Sequence, residues 1–504
     1  MARLRTRCVI WRFGRRSAVP RSVWLGLAAG IVIALGSYGA GATRNRGGVM
    51  RELGLGHLMY GHGRSIMDAL LTAGIIALVV AWVWFGRDLT RQRAGFAETR
   101  RATWLWTAGL ALAAPILSRD VYSYLMQGAM LRDGFDPYTE GAAVNPGPYL
   151  YEVSHDWRNT TTPYGPLHLW IGERITTLVG DNVTLGIVAY KLLTLAGFAA
   201  IVWAVPRIAA ELGGNPALAL WLGVANPVML LHMVGGMHNE AIMVGLVSVG
   251  LLACLRNRFV LGIVVISLAV SLKATAAIAL PFVGWMAYNR QRHDAAPRAR
   301  NAAAFAFVGA VSLALTLAVL WAVTVLSGSS FGWVAEISGN SKVVNPLAGP
   351  TLVADAFTPL AQLFDEHFRY NAALALARRI GAVLMLVGLA LTWFIFRRND
   401  REAVAGIACA YAVAFVANAV TFPWYYASLL SLLGTVSTPL WVRRATVFFS
   451  VVVALAFTGS GNHRFYDGWF IVVSFAAAWI AAEVVYPRAP TTPAEARTPS
   501  PALA

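Results

Sequence analysis

The chain has 504 residues, of which 58% are hydrophobic and 13% charged, against about 25% charged in a soluble domain, which excludes an ordinary soluble globular protein. The formal net charge of +17 lies in short runs between apolar segments, "RLRTRCVIWRFGRR", "RQRAGFAETRR", "NRQRHDAAPRAR", "FRRNDR" and "WVRR", the pattern of cytoplasmic loops under the positive-inside rule and not of a nucleic-acid surface. Cys8, Cys254 and Cys409 are far apart and outside any CxxC or Cys/His cluster, so neither a disulfide framework nor a zinc site is expected.

Residues 1–21 read as a basic cytoplasmic N-terminus. The apolar run from Val23 follows it as a signal peptide would, but it is long and many more runs come after it, so a retained first helix is expected. Spans near 22–42, 66–86 and 102–117 then leave Asp120 on the exterior side. Residues 118–182 form a polar exterior loop, in which "GPLHLWIGERITTLVG" carries Glu173 and Arg174 and reads as an interfacial helix.

Further spans are expected at 183–205, 217–234, 238–254, 258–271, 274–288 and 302–326, followed by a second exterior loop over about 327–376. The last spans fall at 377–396, 403–420, 427–441, 445–459 and 468–486, before a disordered Pro/Thr/Ala-rich tail at 487–504. The fold class is thus an all-α polytopic membrane protein of roughly 13 or 14 transmembrane helices, with both termini cytoplasmic. This threading puts Asp120, His238, Glu240, Lys273, Trp424, Tyr425 and His463 on one face.

In "SRDVYSYLMQGAMLRDGFDPY", residues 118–138, Asp120, Ser123, Tyr124 and Gln127 share one side of a helix, and Val121, Leu125, Met126 and Ala129 the other. Asp120 has two readings: an N-cap, with Ser118 as a neighbouring candidate, or a working carboxylate, since a charge beside the bilayer is costly without a task or a partner. Tyr138 in "DGFDPY" and Tyr164 in "TTPYGPL" read as sugar-stacking rings or as interfacial aromatics, beside prolines that stiffen the turns. "NPVMLLHMVGGMHNEAIM" gathers Asn226, His232, His238, Asn239 and Glu240 at membrane depth, where polar groups face a site or a pathway. Lys273, flanked by apolar sequence, either snorkels or pairs with a phosphate, and "TFPWYY" brings Trp424 and Tyr425 to an external turn.

Taken in order, "SRDVYSYLMQGAMLRDGFDPY", "TTPYGPLHLW", "NPVMLLHMVGGMHNEAIMVGL", "LKATAAIALPF" and "FPWYY" resemble the actinobacterial polyprenyl-phosphomannose-dependent α-(1→6)-mannosyltransferases, members of the GT-C superfamily, from about Gly26 to Tyr486. The resemblance leans to the enzyme that elongates the mannan backbone of lipomannan and lipoarabinomannan, with the paralogue that initiates it as the near alternative. It implies a GT-C-like transmembrane catalytic unit over 22–486 and a catalytic carboxylate in the first large exterior loop, the role that falls on Asp120 as general base.

The resemblance further implies a polyprenyl phosphate mannose donor, a glycolipid mannan acceptor and inversion at the anomeric carbon. Lys273, Arg119, His238, Lys342, Trp424 and Tyr425 become candidates for the donor phosphate and lipid, and Tyr124, Gln127, Tyr138, Tyr164, Asn239 and Glu240 for sugar and acceptor. No metal cluster or cofactor is required, although a divalent ion bridging Asp120 or Glu240 to the phosphate stays open. The expected location is the plasma membrane, multi-pass, with an extracytoplasmic site. A transporter or flippase of a lipid-linked sugar, or a GT-C enzyme using another lipid-linked sugar, are the rival readings.

Overall fold

The computed structural model describes residues 19–292, 295–339 and 343–488, so most of the expected tail and of the basic N-terminus lies outside the described residues. The described chain is helical, with one isolated β-bridge between Phe457 and His463.

Among the described residues, six helices are long and apolar enough to cross a membrane: Arg21–Ala40, Gly61–Thr90, Val183–Glu211, Arg298–Ser327, Tyr370–Ile395 and Gly468–Val485. A bent pair of helices, Pro216–Val224 followed by Pro227–Gly235 at 51°, forms either a broken seventh span or a re-entrant loop. By length and composition this count is lower than the roughly 13 or 14 expected from the sequence. Several of the other expected spans form shorter helices. Phe96–Ala111, Glu240–Leu255, Phe259–Leu272 and Leu440–Leu455 hold 14 to 16 residues, about 21–24 Å of helix, where a hydrocarbon core is about 30 Å thick.

The span expected at 427–441 is not continuous. Helix Ala427–Leu433 is seven residues long, and Pro439, which cannot donate a backbone hydrogen bond, caps the next helix, Leu440–Leu455.

The first two long helices approach with almost no side chain between them: a Cβ on Gly36 would lie 2.6 Å from the Leu71 nitrogen, and one on Gly74 would lie 2.7 Å from the Ile33 side chain. Trp82 and Trp221 then lock Gly61–Thr90 to the broken helix. Each indole N–H donates to the other residue's carbonyl, at 3.1 and 3.0 Å, and the rings stack at 5.0 Å.

At the break, Pro227 has no N–H to give, and Asn226 repairs the ladder. Its Oδ1 accepts from the Val228 nitrogen at 2.9 Å, while its Nδ2 donates to the Leu222 carbonyl at 3.1 Å and to Ser450 Oγ at 2.7 Å. Asn226 is thus a structural residue at a helix break, which accounts for a polar group at that depth.

Candidate active site

Helix Asp120–Arg132 has the polarity expected of it. Val121, Leu125, Met126 and Ala129 are buried, and Asp120, Ser123, Tyr124 and Gln127 line one cavity of about 340 Å³. The helix lies against Pro166–Val179 with bare backbones touching, since a Cβ on Gly128 would stand 2.1 Å from the Gly172 carbonyl carbon. That contact leaves little freedom for the turn that carries Asp120.

Asp120 is not acting as a cap. It opens the helix, but its own N–H is taken by Ser118 Oγ at 3.1 Å, so Ser118 performs the capping that was one reading of Asp120. The Asp120 carboxylate turns instead to His238 Nδ1 at 3.5 Å and the Tyr124 hydroxyl at 3.4 Å, and Tyr124 is itself 3.4 Å from His238 Nδ1. Burial pushes the Tyr124 phenol well above its usual range, helped by Tyr164 and the Asp120 charge, so it stays a hydrogen-bond donor.

His238 is held from outside the helix that follows it. Its ring lies on Trp424 with centroids 3.7 Å apart and planes 16° from parallel, and Trp424 stacks in turn on Phe422 at 4.7 Å. Gly236 makes room, because a Cβ there would meet the His238 ring at 3.0 Å. Two buried residues just before the key side chains adopt left-handed backbone, Leu117 at φ +63° and Met237 at φ +56°. Such strain is uncommon for non-glycine residues and gathers at functional sites.

A second chain of hydrogen bonds runs behind the cavity wall. Asn239 Nδ2 lies 3.2 Å from His168 Nδ1, and His168 Nε2 lies 3.0 Å from Gln127 Oε1. A neutral His168 satisfies both contacts with its proton on Nε2, which leaves the Gln127 amide NH2 as the group free for a ligand. Burial pushes His168 down to about 3, with the Lys273 charge adding to the effect, so the ring is neutral throughout the physiological range.

Lys273 is not a free cation in the cavity. It ends helix Phe259–Leu272, is buried, and forms an ion pair with the buried Glu240. Its ammonium also lies 4.0 Å from the Tyr425 ring centroid and 5.3 Å from that of Tyr164, and both of these tyrosines line the cavity. The positive charge therefore stands one ring behind the wall, largely offset by Glu240.

Arg119 also turns away, which corrects the expectation that it could face a donor phosphate. Its guanidinium donates to the carbonyls of Glu152 and Thr43 and pairs with the Glu152 carboxylate at 3.2 Å. Tyr138 packs with Leu169 and Trp333 and does not line the cavity. Lys342 lies outside the described residues. Asp133 and Asp136 shape the loop behind the helix, Asp133 through Arg132 and Asn145 and Asp136 by accepting the Tyr138 N–H at 2.9 Å.

The cavity also contains residues that reading the sequence did not single out: Trp157, Thr160, Thr161, Glu336 and Phe422, with His168 behind them. Glu336 comes from the short helix Trp333–Gly339 in the second loop and is hydrogen-bonded by the Thr161 hydroxyl. Among the described residues, no three His, Cys, Asp or Glu side chains converge as a metal-ligand set.

A family model described as "Alpha-(1->6)-mannopyranosyltransferase, N-terminal domain" matches residues 23–289, and one described as "MptB C-terminal domain" matches residues 350–486. The chain is 54% identical over 486 residues to alpha-(1->6)-mannopyranosyltransferase A of Corynebacterium glutamicum, an alignment that covers 93% of this chain and 99% of that protein. It is 36% identical over 478 residues to the protein of the same name in Mycobacterium tuberculosis, covering 94% and 92%. With both matched regions and the length of these relatives covered, the chain belongs to the actinobacterial α-(1→6)-mannosyltransferase family.

Proposed function

We propose that the protein transfers mannose from polyprenyl phosphate mannose to the O6 hydroxyl of a growing α-(1→6)-mannan of lipomannan and lipoarabinomannan. The reaction takes place on the extracytoplasmic face of the plasma membrane, with inversion at the anomeric carbon. One observation carries the reading: the Asp120 carboxylate, at the wall of an aromatic-rimmed cavity, is oriented by His238 Nδ1 and the Tyr124 hydroxyl. A carboxylate positioned in this way can serve as a general base.

Asp120 accepts the acceptor's O6 proton as O6 attacks the anomeric carbon from the side opposite the phosphate. The C1–O bond to phosphate breaks, and polyprenyl phosphate leaves with the bonding pair. A single displacement of this kind converts a β-linked donor to an α-linked product without a glycosyl-enzyme, which would call for a nucleophilic carboxylate. Glu336, the other carboxylate of the cavity, is committed to the Thr161 hydroxyl and reads as a binding group for sugar hydroxyls. The aromatic rings of Trp157, Tyr164 and Phe422 offer surfaces for the sugar and the first isoprene unit. Because Glu240 offsets Lys273, charge building on the departing phosphate meets hydroxyl donors, with the ammonium acting through the Tyr164 and Tyr425 rings in front of it.

Purified protein in nanodiscs, given labelled polyprenyl phosphomannose and a short α-(1→6)-mannoside, tests the proposal. The expected product is the acceptor extended by one α-linked mannose. Transfer from a polyprenyl phosphoarabinose but not from the mannose donor, or movement of the donor across the bilayer with no new glycosidic bond, would overturn it.

A further inference from the structure

A second cavity, of about 450 Å³, lies on the other face of helix Asp120–Arg132 and shares no lining residue with the first. Tyr122, Arg44, Val188 and Lys191 border it, together with apolar side chains from the ends of helices Arg21–Ala40 and Phe96–Ala111. Its rim faces the surroundings of the bundle: Leu112, Val188 and Leu192 are 63%, 50% and 64% exposed, the last two on a membrane-crossing helix.

The charge around this groove does not balance. Lys191 is buried within the crossing helix Val183–Glu211, and the acceptor of its ammonium is the Val234 carbonyl at 2.9 Å; no carboxylate lies within ion-pair distance among the described residues. Arg44 reaches Glu152 at 3.5 Å and Thr184 Oγ1 at 2.8 Å. Glu152 is already well supplied, by Arg119 at 3.2 Å and by the N–H groups of Asn45 and Arg46 at 2.5 and 3.1 Å. Glu152 thus pairs with two arginines, and Lys191 has no carboxylate partner among the described residues. A buried ammonium at membrane depth is costly without an anionic partner.

We propose that this groove is a binding site for an anionic phospholipid of the bilayer, with its phosphate between Arg44 and Lys191 and an acyl chain along Leu112, Val188 and Leu192. Charge complementarity selects a phosphate, and the apolar, membrane-facing rim selects one that carries a lipid tail. The site is separate from the catalytic cavity and does not depend on the donor proposed above. The helix between them presents Tyr122 to the lipid and Asp120 to the substrate.

The full chain in phosphatidylcholine nanodiscs, with and without a minor fraction of phosphatidylglycerol, tests this by native mass spectrometry of retained lipid. One phosphatidylglycerol per chain is expected, held about tenfold more weakly in Lys191→Met and in Arg44→Gln. Val188→Trp fills the groove from a half-exposed position, so it should release the lipid while leaving the melting temperature unchanged. Equal retention in all three variants, equal retention of phosphatidylcholine, or stabilisation by inorganic phosphate alone to the same degree as by the lipid would each overturn the proposal.

Discussion

His238 lies flat on Trp424, with ring centroids 3.7 Å apart, and through that contact a residue of the "FPWYY" turn sets the angle at which the imidazole meets Asp120. Stacked aromatic pairs contribute about 0.5–1.5 kcal/mol beyond their burial. Trp424→Leu is therefore expected to lower kcat by about tenfold, on the usual conversion of about 1.4 kcal/mol per decade, whereas Trp424→Phe retains most of the activity. An unchanged kcat in Trp424→Leu, measured at saturating donor, would remove the positioning role.

Asp120→Asn keeps the shape of the side chain and loses the base. Turnover should fall by at least about 100-fold, the lower end of what a positioned general base contributes, while KM for the donor and the melting temperature stay close to wild type. Near-normal turnover in this variant would shift the role of base to Glu336.

The Lys273–Glu240 pair separates structure from function through a double substitution. Removing one partner leaves a buried charge alone, so Lys273→Met is expected to cost about 3–5 kcal/mol of stability. Lys273→Met combined with Glu240→Gln should recover most of it. Thermal melting reports the recovery, and activity in the double variant then shows whether the ammonium behind Tyr425 also serves the leaving phosphate. A double variant as unstable as the single one would contradict the ion-pair account.

His168 gives a pH dependence with a definite sign. The unfolded ring takes up a proton near its ordinary value of about 6.5, whereas the folded ring resists down to about 3. The unfolded state therefore binds more protons between these values. Stability is complete above about pH 6.5 and falls as the pH drops through that window. Melting temperatures recorded from neutral to mildly acidic pH should show a shallower slope in His168→Gln, by up to one proton's worth. An unchanged slope would mean that other groups set the acid sensitivity.

What could be read in the sequence was mostly local. Helical periodicity placed Asp120, Ser123, Tyr124 and Gln127 on one side, and all four line the cavity, because a single helix holds them in register. Spacing carries no information on partners from distant segments. Glu240 and Lys273 are 33 positions apart, and their pairing turned an expected phosphate ligand into half of an ion pair. Glu336 and Phe422 arrive from the second large loop and the external turn, with no periodicity to mark them. His168 stood in a quoted motif, "TTPYGPLHLW", and its role emerges only once Asn239 and Gln127 are seen on either side. By length and composition alone, fewer helices qualify as crossings than hydropathy marks as apolar runs, since several of those runs form helices of 14 to 16 residues.

The cavity lined by Asp120 takes Asp120, Tyr124 and Tyr164 from the region matched by the N-terminal family model and Phe422, Trp424 and Tyr425 from the region matched by the C-terminal one. In this chain the two matched regions thus wall a single cavity between them. Chimeras that exchange the C-terminal part with a distant relative are expected to be limited at the seam where Trp424 receives His238.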